Sequence, residues 1–344
     1  MRVFSAVLNM IICFWHKINC VELDSLHNCI IIKKVKFPRG DLMGQRFGIL
    51  GVELNNPLDA LQGVDMAPKA FRYANLYKIL KDCSGYNGSV FDYGDVVLGE
   101  MERIQYYQIQ RLDMNVFSNI LKSIRDLTYK MTIQHQIPVV LGGDESLSLG
   151  TVEGLTMHYK KMGMICFDAH LKLGEEDVSG FEFIKKSMRA LQFGRDSDKL
   201  VEHLRLKNYL SPDRLVYIGA RDYSRSEILI AKEHRIKIYT IMDVEKMGIT
   251  KIIDETTDYL ADCDGVHLSF DFDCIDGEML AAIGYPISMG LTPKEAMIAM
   301  NLLYQTGLIT SSEFFGIDCC KDMNNQAGKI GTQLIGALFG AKSL

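Results

Sequence analysis

The stretch GVHLSFDFDCID, residues 265–276, decides the fold class of this chain. Its first part is an apolar run without strict polar alternation, and acidic side chains gather where the run ends, at Asp271 and Asp273. Runs of this kind are typical of strands that helices cover on both faces, as in a parallel sheet. Ligands bind outside the carboxyl ends of the strands in such sheets. The stretch therefore predicts a buried strand that carries polar groups to a ligand-binding edge.

The same pattern recurs on both sides of that stretch. Further apolar runs end in polar groups at RFGILGV (46–52), SVFDYGDVVL (89–98), QIPVVLGGDE (136–145), MGMICFDAH (162–170), RLVYIGARD (214–222), IKIYTIMD (236–243) and EFFGIDCC (313–320). Helical periodicity predicts helices over residues 69–83 and 107–134. Because no linker or low-complexity segment interrupts residues 45–344, we predict one α/β domain there, a parallel β-sheet flanked by helices on both faces. Residues 1–44 are interpreted as an N-terminal extension.

Charge and cysteine usage exclude several classes of protein. The 344 residues carry 38 Lys+Arg against 43 Asp+Glu, a net charge of −5, so no basic surplus is available for a phosphate backbone and no nucleic-acid partner is expected. The apolar segment over residues 3–15 is too short to span a bilayer, so no membrane partner is expected. Nine cysteines without repeating spacing indicate a reducing compartment and hence the cytoplasm, although the apolar N-terminus leaves a targeting role open.

Four residues at the ends of two predicted strands form a candidate metal site: Asp168, His170, Asp271 and Asp273. The D-x-H and D-x-D spacings place alternate side chains on one side of the sheet. Three carboxylates and one imidazole suit a hard cation such as Mn²⁺ or Mg²⁺. The alternative is that these aspartates cap helix N-termini or loops. Spacing alone leaves both interpretations open.

Six signatures in one order resemble those of a known family. They are GVDMAP (63–68), DYGDV (92–96), LGGDESLSLG (141–150), FDAH (167–170), VYIGARD (216–222) and LSFDFDCID (268–276). The chain resembles the arginase–agmatinase (ureohydrolase) family, nearer to arginase, from about Phe47 to near its C-terminus. The resemblance implies an α/β fold, a trimer or hexamer, and two Mn²⁺ ions that activate a bridging hydroxide for attack on a guanidinium carbon.

The chain departs from the family pattern at the first ion. By carry-over, Glu145 replaces a histidine ligand and Lys172 replaces an aspartate ligand. A protonated lysine has no acceptor, and at ~4 Å and an effective dielectric of ~20 it repels a divalent ion by about 8 kcal/mol. The first ion is therefore expected to be absent. All four carried-over ligands of the second ion survive, so the site either holds one Mn²⁺ or, as we favour, holds no metal and Lys172 lies across Asp168 and Asp271.

The carried-over substrate positions have also changed. Phe183 in SGFEF (179–183) replaces the proton-shuttle histidine, and Lys321 falls where a glutamate would grip the guanidinium. Ser224 replaces the aspartate that reads the amino-acid end, while Glu227 keeps the next acidic position. Tyr285 replaces the threonine of a G-T-P segment. A phenylalanine cannot transfer a proton, and that step typically contributes ~10²–10⁴-fold.

These changes predict a catalytically inactive arginase-like pseudoenzyme with a regulatory or binding role. The alternative is a divergent hydrolase with a single divalent metal acting on a non-arginine, anionic substrate that Lys172 and Lys321 would bind. The resemblance implies a homo-oligomer, a trimer above all, and leaves a hetero-oligomer with an active arginase open. The Cys319-Cys320 pair is interpreted as apolar filling, with a redox contact to Cys166 or Cys274 as the minor alternative.

Overall fold

The computed structural model describes residues 44–55, 63–97, 99, 114–174, 188–194, 204 and 206–341. Eight strands lie within these described residues, and each overlaps one of the apolar runs. They are β1 Arg46–Glu53, β2 Ser89–Val97, β3 Ile137–Gly142, β4 Met162–Phe167, β5 Leu215–Ala220, β6 Lys237–Thr240, β7 Gly265–Asp271 and β8 Ile309–Phe315. The N-terminal extension predicted over residues 1–44 lies outside the described residues except for Gly44.

The strands form one sheet in the order β2-β1-β3-β8-β7-β4-β5-β6, and every neighbouring pair is parallel. The predicted α/β fold with a parallel sheet is therefore confirmed. Chain order is broken at the centre, because β7 and β8 lie between β3 and β4. The carboxyl ends of these four central strands meet at one edge, which is where an open α/β sheet binds ligands.

Helices cover both faces of the sheet. Within the described residues they are α1 Ala67–Tyr73, α2 Leu76–Cys83, α3 Met114–Ile133, α4 Ser148–Thr156, α5 Arg225–Glu233, α6 Ile241–Met247, α7 Ile249–Tyr259, α8 Pro293–Thr306 and α9 Gln326–Phe339. Helices α3, α4 and α5 pack on one face, and the other six pack on the opposite face. None of the helices in this described part is long and apolar enough to cross a membrane.

Two sequence-predicted helices differ from the structure. The helix predicted over 69–83 is divided into α1 and α2, because Asn75 adopts a left-handed conformation with φ of 66°. The helix predicted over 107–134 spans Met114–Ile133, and residues 107–113 lie outside the described residues. The run 236–243 contains a strand of four residues, since Thr240 and Asp243 form a capping box that starts α6.

An aromatic cluster packs beneath the central strands. The ring of Phe270 on β7 lies 5.6 Å from Phe167 on β4 and 5.4 Å from Phe314 on β8, between centroids. Phe272 packs edge-on against Phe270 at 5.3 Å. All four rings are fully buried. The residues that directly follow Phe167 and Phe270, Asp168 and Asp271, belong to the candidate site.

Candidate metal centre

The ends of β4 and β7 place two aspartates side by side. The parallel register pairs Cys166 with Ser269, and the residues two positions further along are Asp168 and Asp271, on the same face of the sheet. Each aspartate also turns its own backbone. Asp168 Oδ1 accepts from His170 N at 2.8 Å, and Asp271 Oδ1 accepts from the N–H of Asp273 at 3.1 Å. Each aspartate therefore caps its own turn with Oδ1, and its Oδ2 is left for other contacts.

Three of the four predicted second-ion residues converge. One ligand atom each from Asp168, His170 and Asp273 lies within 4.8 Å of the others. His170 Nδ1 is 2.8 Å from Asp273 Oδ2 and 3.6 Å from Asp168 Oδ1. Asp273 Oδ1 accepts from Ala169 N at 3.0 Å. These atoms offer the oxygen and nitrogen donors that Mn²⁺ takes, so this group could hold one divalent ion.

The fourth residue, Asp271, turns towards Lys172 instead. The Lys172 ammonium donates to Asp168 Oδ2 at 2.9 Å and to Asp271 Oδ2 at 3.0 Å, and it lies 3.8 Å from Glu145 Oε1. The Lys172 side chain is only 7% exposed. Lys172 therefore lies across Asp168 and Asp271. With both contacts made, each carboxylate oxygen of Asp168 and Asp271 accepts a hydrogen bond.

Lys172 and Asp168 stabilise each other's charged forms. Burial lowers the pKa of Lys172, but the charges of Asp168, Glu145 and Asp271 outweigh it, so the pKa of Lys172 is raised well above its usual value. Burial raises the pKa of Asp168, yet the Lys172 charge and the hydrogen bond with His170 hold it below its usual value. Such a buried pair persists because geometry and hydrogen bonds repay part of the desolvation.

The other two groups are shifted upwards. Burial lowers the pKa of His170, but its hydrogen bonds with Asp168 and Asp273 raise that pKa to about 10. Burial and the negative charge of Asp273 raise the pKa of Asp271 well above its usual value. The carboxylates of Asp168 and Asp273 therefore favour the protonated form of His170. A metal ligand must be the neutral imidazole, so an ion bound here would first displace a proton from His170.

Glu145 completes the lysine's surroundings. It begins the 3₁₀ turn Glu145–Leu147 that follows β3, and Asp144 caps that turn by accepting from Ser146 N at 2.8 Å. Glu145 Oε1 is buried and has no hydrogen-bond partner within the described part of the chain. An oxygen in that state fits a cation site. The group of Asp168, His170 and Asp273 thus fits one ion. Near Glu145, the ammonium of Lys172 already supplies the positive charge.

Two predicted substrate-pocket residues have structural partners. Ser224 caps α5, and Glu227 Oε2 accepts from Ser224 N at 2.8 Å, which forms a capping box. Glu227 Oε1 accepts from Leu173 N at 3.1 Å. Both carboxylate oxygens of Glu227 therefore bind the protein itself. This residue connects α5 to the segment that carries Lys172.

Tyr285 lies in the loop that follows the candidate site and is half-buried. Arg221 holds this loop, because its Nη2 donates to the carbonyl oxygens of Asp273 at 2.8 Å and Ile287 at 2.7 Å. The neighbour of Tyr285, Gly284, donates its N–H to Gly316 O at 2.9 Å. The main chain on both sides of Tyr285 is thus attached to residues that follow β7 and β8. Phe183 lies outside the described residues and stays a prediction.

Lys321 lies outside the constellation. Its side chain is 48% exposed and pairs with Asp318 Oδ2 at 3.2 Å. The residue of this segment that borders the site is Gly316, which directly follows β8 with φ of 91°. A Cβ on Gly316 would come within 2.5 Å of Asp271 Oδ1. Gly316, and not Lys321, is therefore the residue of this segment that lies against the candidate site.

A buried polar layer beneath the site was missed by sequence reasoning. Arg189 is fully buried and donates to Ser148 Oγ and Ser269 Oγ, both at 3.0 Å. Glu313 Oε1 accepts from the same two hydroxyls at 2.5 Å and 2.7 Å. Ser269 precedes Asp271 by two residues, so this layer lies directly below the aspartates. The sequence offered one signal of this layer, which is the acidic Glu313 beside the apolar residues that follow it.

The fold and the site together define a class of protein. It is an α/β protein with a parallel sheet whose central strand ends gather carboxylates, an imidazole and a buried cation. A profile described as the arginase family matches residues 45–340. The chain belongs to the arginase family.

Individual relatives agree with the profile. The arginase of Bacillus subtilis (strain 168) is 34% identical over 305 residues, which cover 88% of this chain and 100% of that protein. The arginase of Bacillus caldovelox is 32% identical, covering 86% and 98% of the two chains. The crystal structure of arginase from Bacillus cereus superposes with a TM-score of 0.77 at 30% identity, over 87% of this chain and 100% of that one.

Proposed function

We propose that this protein is an arginase-family pseudoenzyme, in which the ammonium of Lys172 takes the place of a metal ion and the chain serves a regulatory or binding role. The observation that supports this is the pair of hydrogen bonds from Lys172 Nζ to Asp168 and Asp271. A buried cation between these carboxylates satisfies charge that an ion would otherwise have to neutralise.

The energetic argument concerns two cations in one place. A divalent ion at ~4 Å from Nζ is repelled by about 8 kcal/mol at an effective dielectric of ~20. Binding would also break two charge-assisted hydrogen bonds, each typically worth about 1.5–3 kcal/mol. A pair of ions therefore does not fit this site while Lys172 stays protonated and in place.

Changes on the substrate side support the same proposal. Gly316, which borders Asp271, has no side chain to grip a guanidinium, and Tyr285 is bulkier than the threonine of the family pattern. Glu227 already has both oxygens engaged by Leu173 and Ser224. Phe183, predicted at the proton-shuttle position, has no titratable group.

The test is urea release from arginine and from agmatine. Purified protein would be incubated with saturating Mn²⁺ at alkaline pH, beside the arginase of Bacillus subtilis as a positive control. We expect no urea above a blank without protein. Urea production that rises with protein concentration and is abolished by a chelator would refute the proposal.

A second candidate is a divergent hydrolase with one divalent ion. It is favoured by the convergence of Asp168, His170 and Asp273, which would hold that ion. A bound ion would supply Lewis-acid polarisation of a substrate. Lys172 and the carboxylates around it would then orient the substrate, and an anionic substrate would have to compete with Asp168 and Asp271 for the ammonium. Calorimetric titration with Mn²⁺ distinguishes this candidate by a stoichiometry of one that Asp273→Ala abolishes.

Assembly and location complete the proposal. Membership of the family supports a homo-oligomer, a trimer above all, and a hetero-oligomer with an active arginase is the form in which a regulatory role would act. Sedimentation velocity of the protein alone, and of its mixture with an active arginase, tests both forms. A chain that sediments only as a monomer near 38.9 kDa would refute the homo-oligomer.

The cysteine usage supports a cytoplasmic location, which fractionation of cells would check.

A further inference from the structure

The backbone that carries Lys172 is fixed on both sides of the lysine. Leu171 O accepts a hydrogen bond from the hydroxyl of Tyr217. Leu173 N donates to Glu227 Oε1 at 3.1 Å. Leu171 and Tyr217 are fully buried and Leu173 is nearly so. Because an unpaired polar group in such surroundings is costly, these two bonds resist any displacement of the segment.

Lys172 itself adopts an uncommon backbone conformation. Its φ is 53°, in the left-handed region that L residues with long side chains rarely occupy. Its carbonyl oxygen accepts from Arg189 N at 3.0 Å. A residue persists in this conformation only when its surroundings over-determine it. The contacts of Tyr217, Glu227 and Arg189 are the surroundings that do so.

We propose that Glu227 and Tyr217 are positioning residues, which hold the segment Leu171–Leu173 so that the Lys172 ammonium stays between the two aspartates. Each acts through a main-chain atom of a residue next to Lys172. The inference rests on the proposed function, because it explains how the lysine is kept in the place of an ion.

Glu227 also joins this segment to a helix. Its Oε2 accepts from Ser224 N at 2.8 Å and from Ser224 Oγ at 3.1 Å, so one carboxylate binds both the N-terminus of α5 and the lysine segment. The first residues of α5 are exposed, and a partner that shifted this end of the helix would also shift Glu227. The position of Lys172 is thereby coupled to the surface of the protein.

The experiment measures the reactivity of Lys172 in metal-free, full-length protein. Limiting acetic anhydride acylates amines, and peptide mass spectrometry compares Lys172 with Lys161, whose side chain is 59% exposed. We expect Glu227→Ala to raise the relative rate at Lys172 about tenfold, which corresponds to about 1.4 kcal/mol. Tyr217→Phe should also raise the relative acylation rate of Lys172, because Leu171 O loses its hydrogen-bond donor.

Two control variants separate positioning from loss of the helix cap. Glu227→Gln keeps an oxygen that accepts from Leu173 N, and Ser224→Ala removes the cap hydroxyl while leaving Glu227 intact. Both should label at the parent rate. Parent-like labelling of Glu227→Ala and Tyr217→Phe would overturn the inference, as would equal labelling of Ser224→Ala and Glu227→Ala. If Glu227→Ala does not fold, Tyr217→Phe decides.

A second measurement separates this inference from the proposed function. The Mn²⁺ content of each desalted protein is read by elemental analysis after incubation with excess metal. Two Mn²⁺ in the parent would overturn the proposed function, whereas the labelling result in metal-free protein would still decide the positioning roles. Higher Mn²⁺ content in Glu227→Ala than in Ser224→Ala supports the inference.

Discussion

Lys172→Asp is the change that most directly tests how this site excludes a metal ion. It removes the ammonium that lies 2.9 Å from Asp168 and 3.0 Å from Asp271, and it supplies a carboxylate instead. The backbone does not oppose the change, because aspartate tolerates a φ of 53° better than lysine does. The substitution is therefore expected to change the charge of the site more than the conformation of the main chain.

The expected magnitude follows from the distances. The parent ammonium repels a divalent ion by about 8 kcal/mol at ~4 Å and an effective dielectric of ~20, and a carboxylate reverses the sign. Desolvation of the extra buried charge opposes part of this gain. We expect Mn²⁺ affinity to rise by at least about 10³-fold, which is about 4 kcal/mol. Without metal, removal of the ammonium that bridges Asp168 and Asp271 should destabilise the protein by about 3–5 kcal/mol.

The assay combines thermal unfolding with isothermal titration. Without metal, Lys172→Asp should unfold at a lower temperature than the parent. Mn²⁺ at 1,000 times the Kd should raise the free energy of unfolding of this variant by about 4 kcal/mol. Lys172→Met is the matched control, since it removes the charge and keeps the length without adding a ligand. It should bind Mn²⁺ more tightly than the parent and more weakly than Lys172→Asp.

Adding Glu145→His to Lys172→Asp restores the second changed ligand. The double variant should bind about two Mn²⁺ and still release little urea, because the guanidinium grip and the proton shuttle are separate contributions. Equal Mn²⁺ content in the parent, Lys172→Asp and the double variant would refute the reasoning. That result would mean that a feature other than Lys172 excludes the ion.

Two further predictions concern stability. Burial raises the pKa of Asp92, but hydrogen bonds from Arg72 and from Gly94 N outweigh burial and lower that pKa. The ionised Asp92 therefore stabilises the folded protein above the unfolded pKa of about 3.9. This stabilisation is lost as the pH falls through the folded pKa. Asp92→Asn should therefore show a smaller fall in Tm than the parent between pH 5 and pH 2 in acid melts, and parallel curves would contradict this. Gly316→Ala should destabilise more than Gly94→Ala in urea titrations, because both glycines have positive φ but only at Gly316 would a Cβ meet Asp271. Equal losses would show that Asp271 can move aside.

Much of the fold could be predicted because its signal is local. Strands buried on both faces need continuous apolar runs, and each of the eight runs overlaps a strand, although β8 begins at Ile309, four residues before the predicted run. The division of residues 69–83 at Asn75 was not predictable, because a left-handed asparagine interrupts a pattern whose periodicity continues on both sides. The order of the strands could be read only from the structure, because an apolar run does not show which other strands pair with it in the sheet.

The site was predictable in its composition and less so in its contacts. Sequence reasoning identified Asp168, His170, Asp271 and Asp273, since acidic and imidazole groups at strand ends are visible by type and spacing. It favoured a metal-free arrangement, in which Lys172 lies across Asp168 and Asp271, over a single bound ion. It interpreted Glu227 as a pocket residue, because a motif position does not reveal which backbone N–H a carboxylate accepts from.

The sequence by itself determined the fold class, the edge of the sheet that carries polar groups, and the presence of a lysine where the family pattern has an aspartate. Only the tertiary structure decided that Gly316 and not Lys321 borders Asp271, and that Arg189 and Glu313 lie in a buried layer beneath the aspartates. The physical reason is that residue type and period depend on neighbours along the chain. Hydrogen-bond partners depend on strand order and register, which bring together residues such as Asp168 and Asp271 that are far apart in sequence.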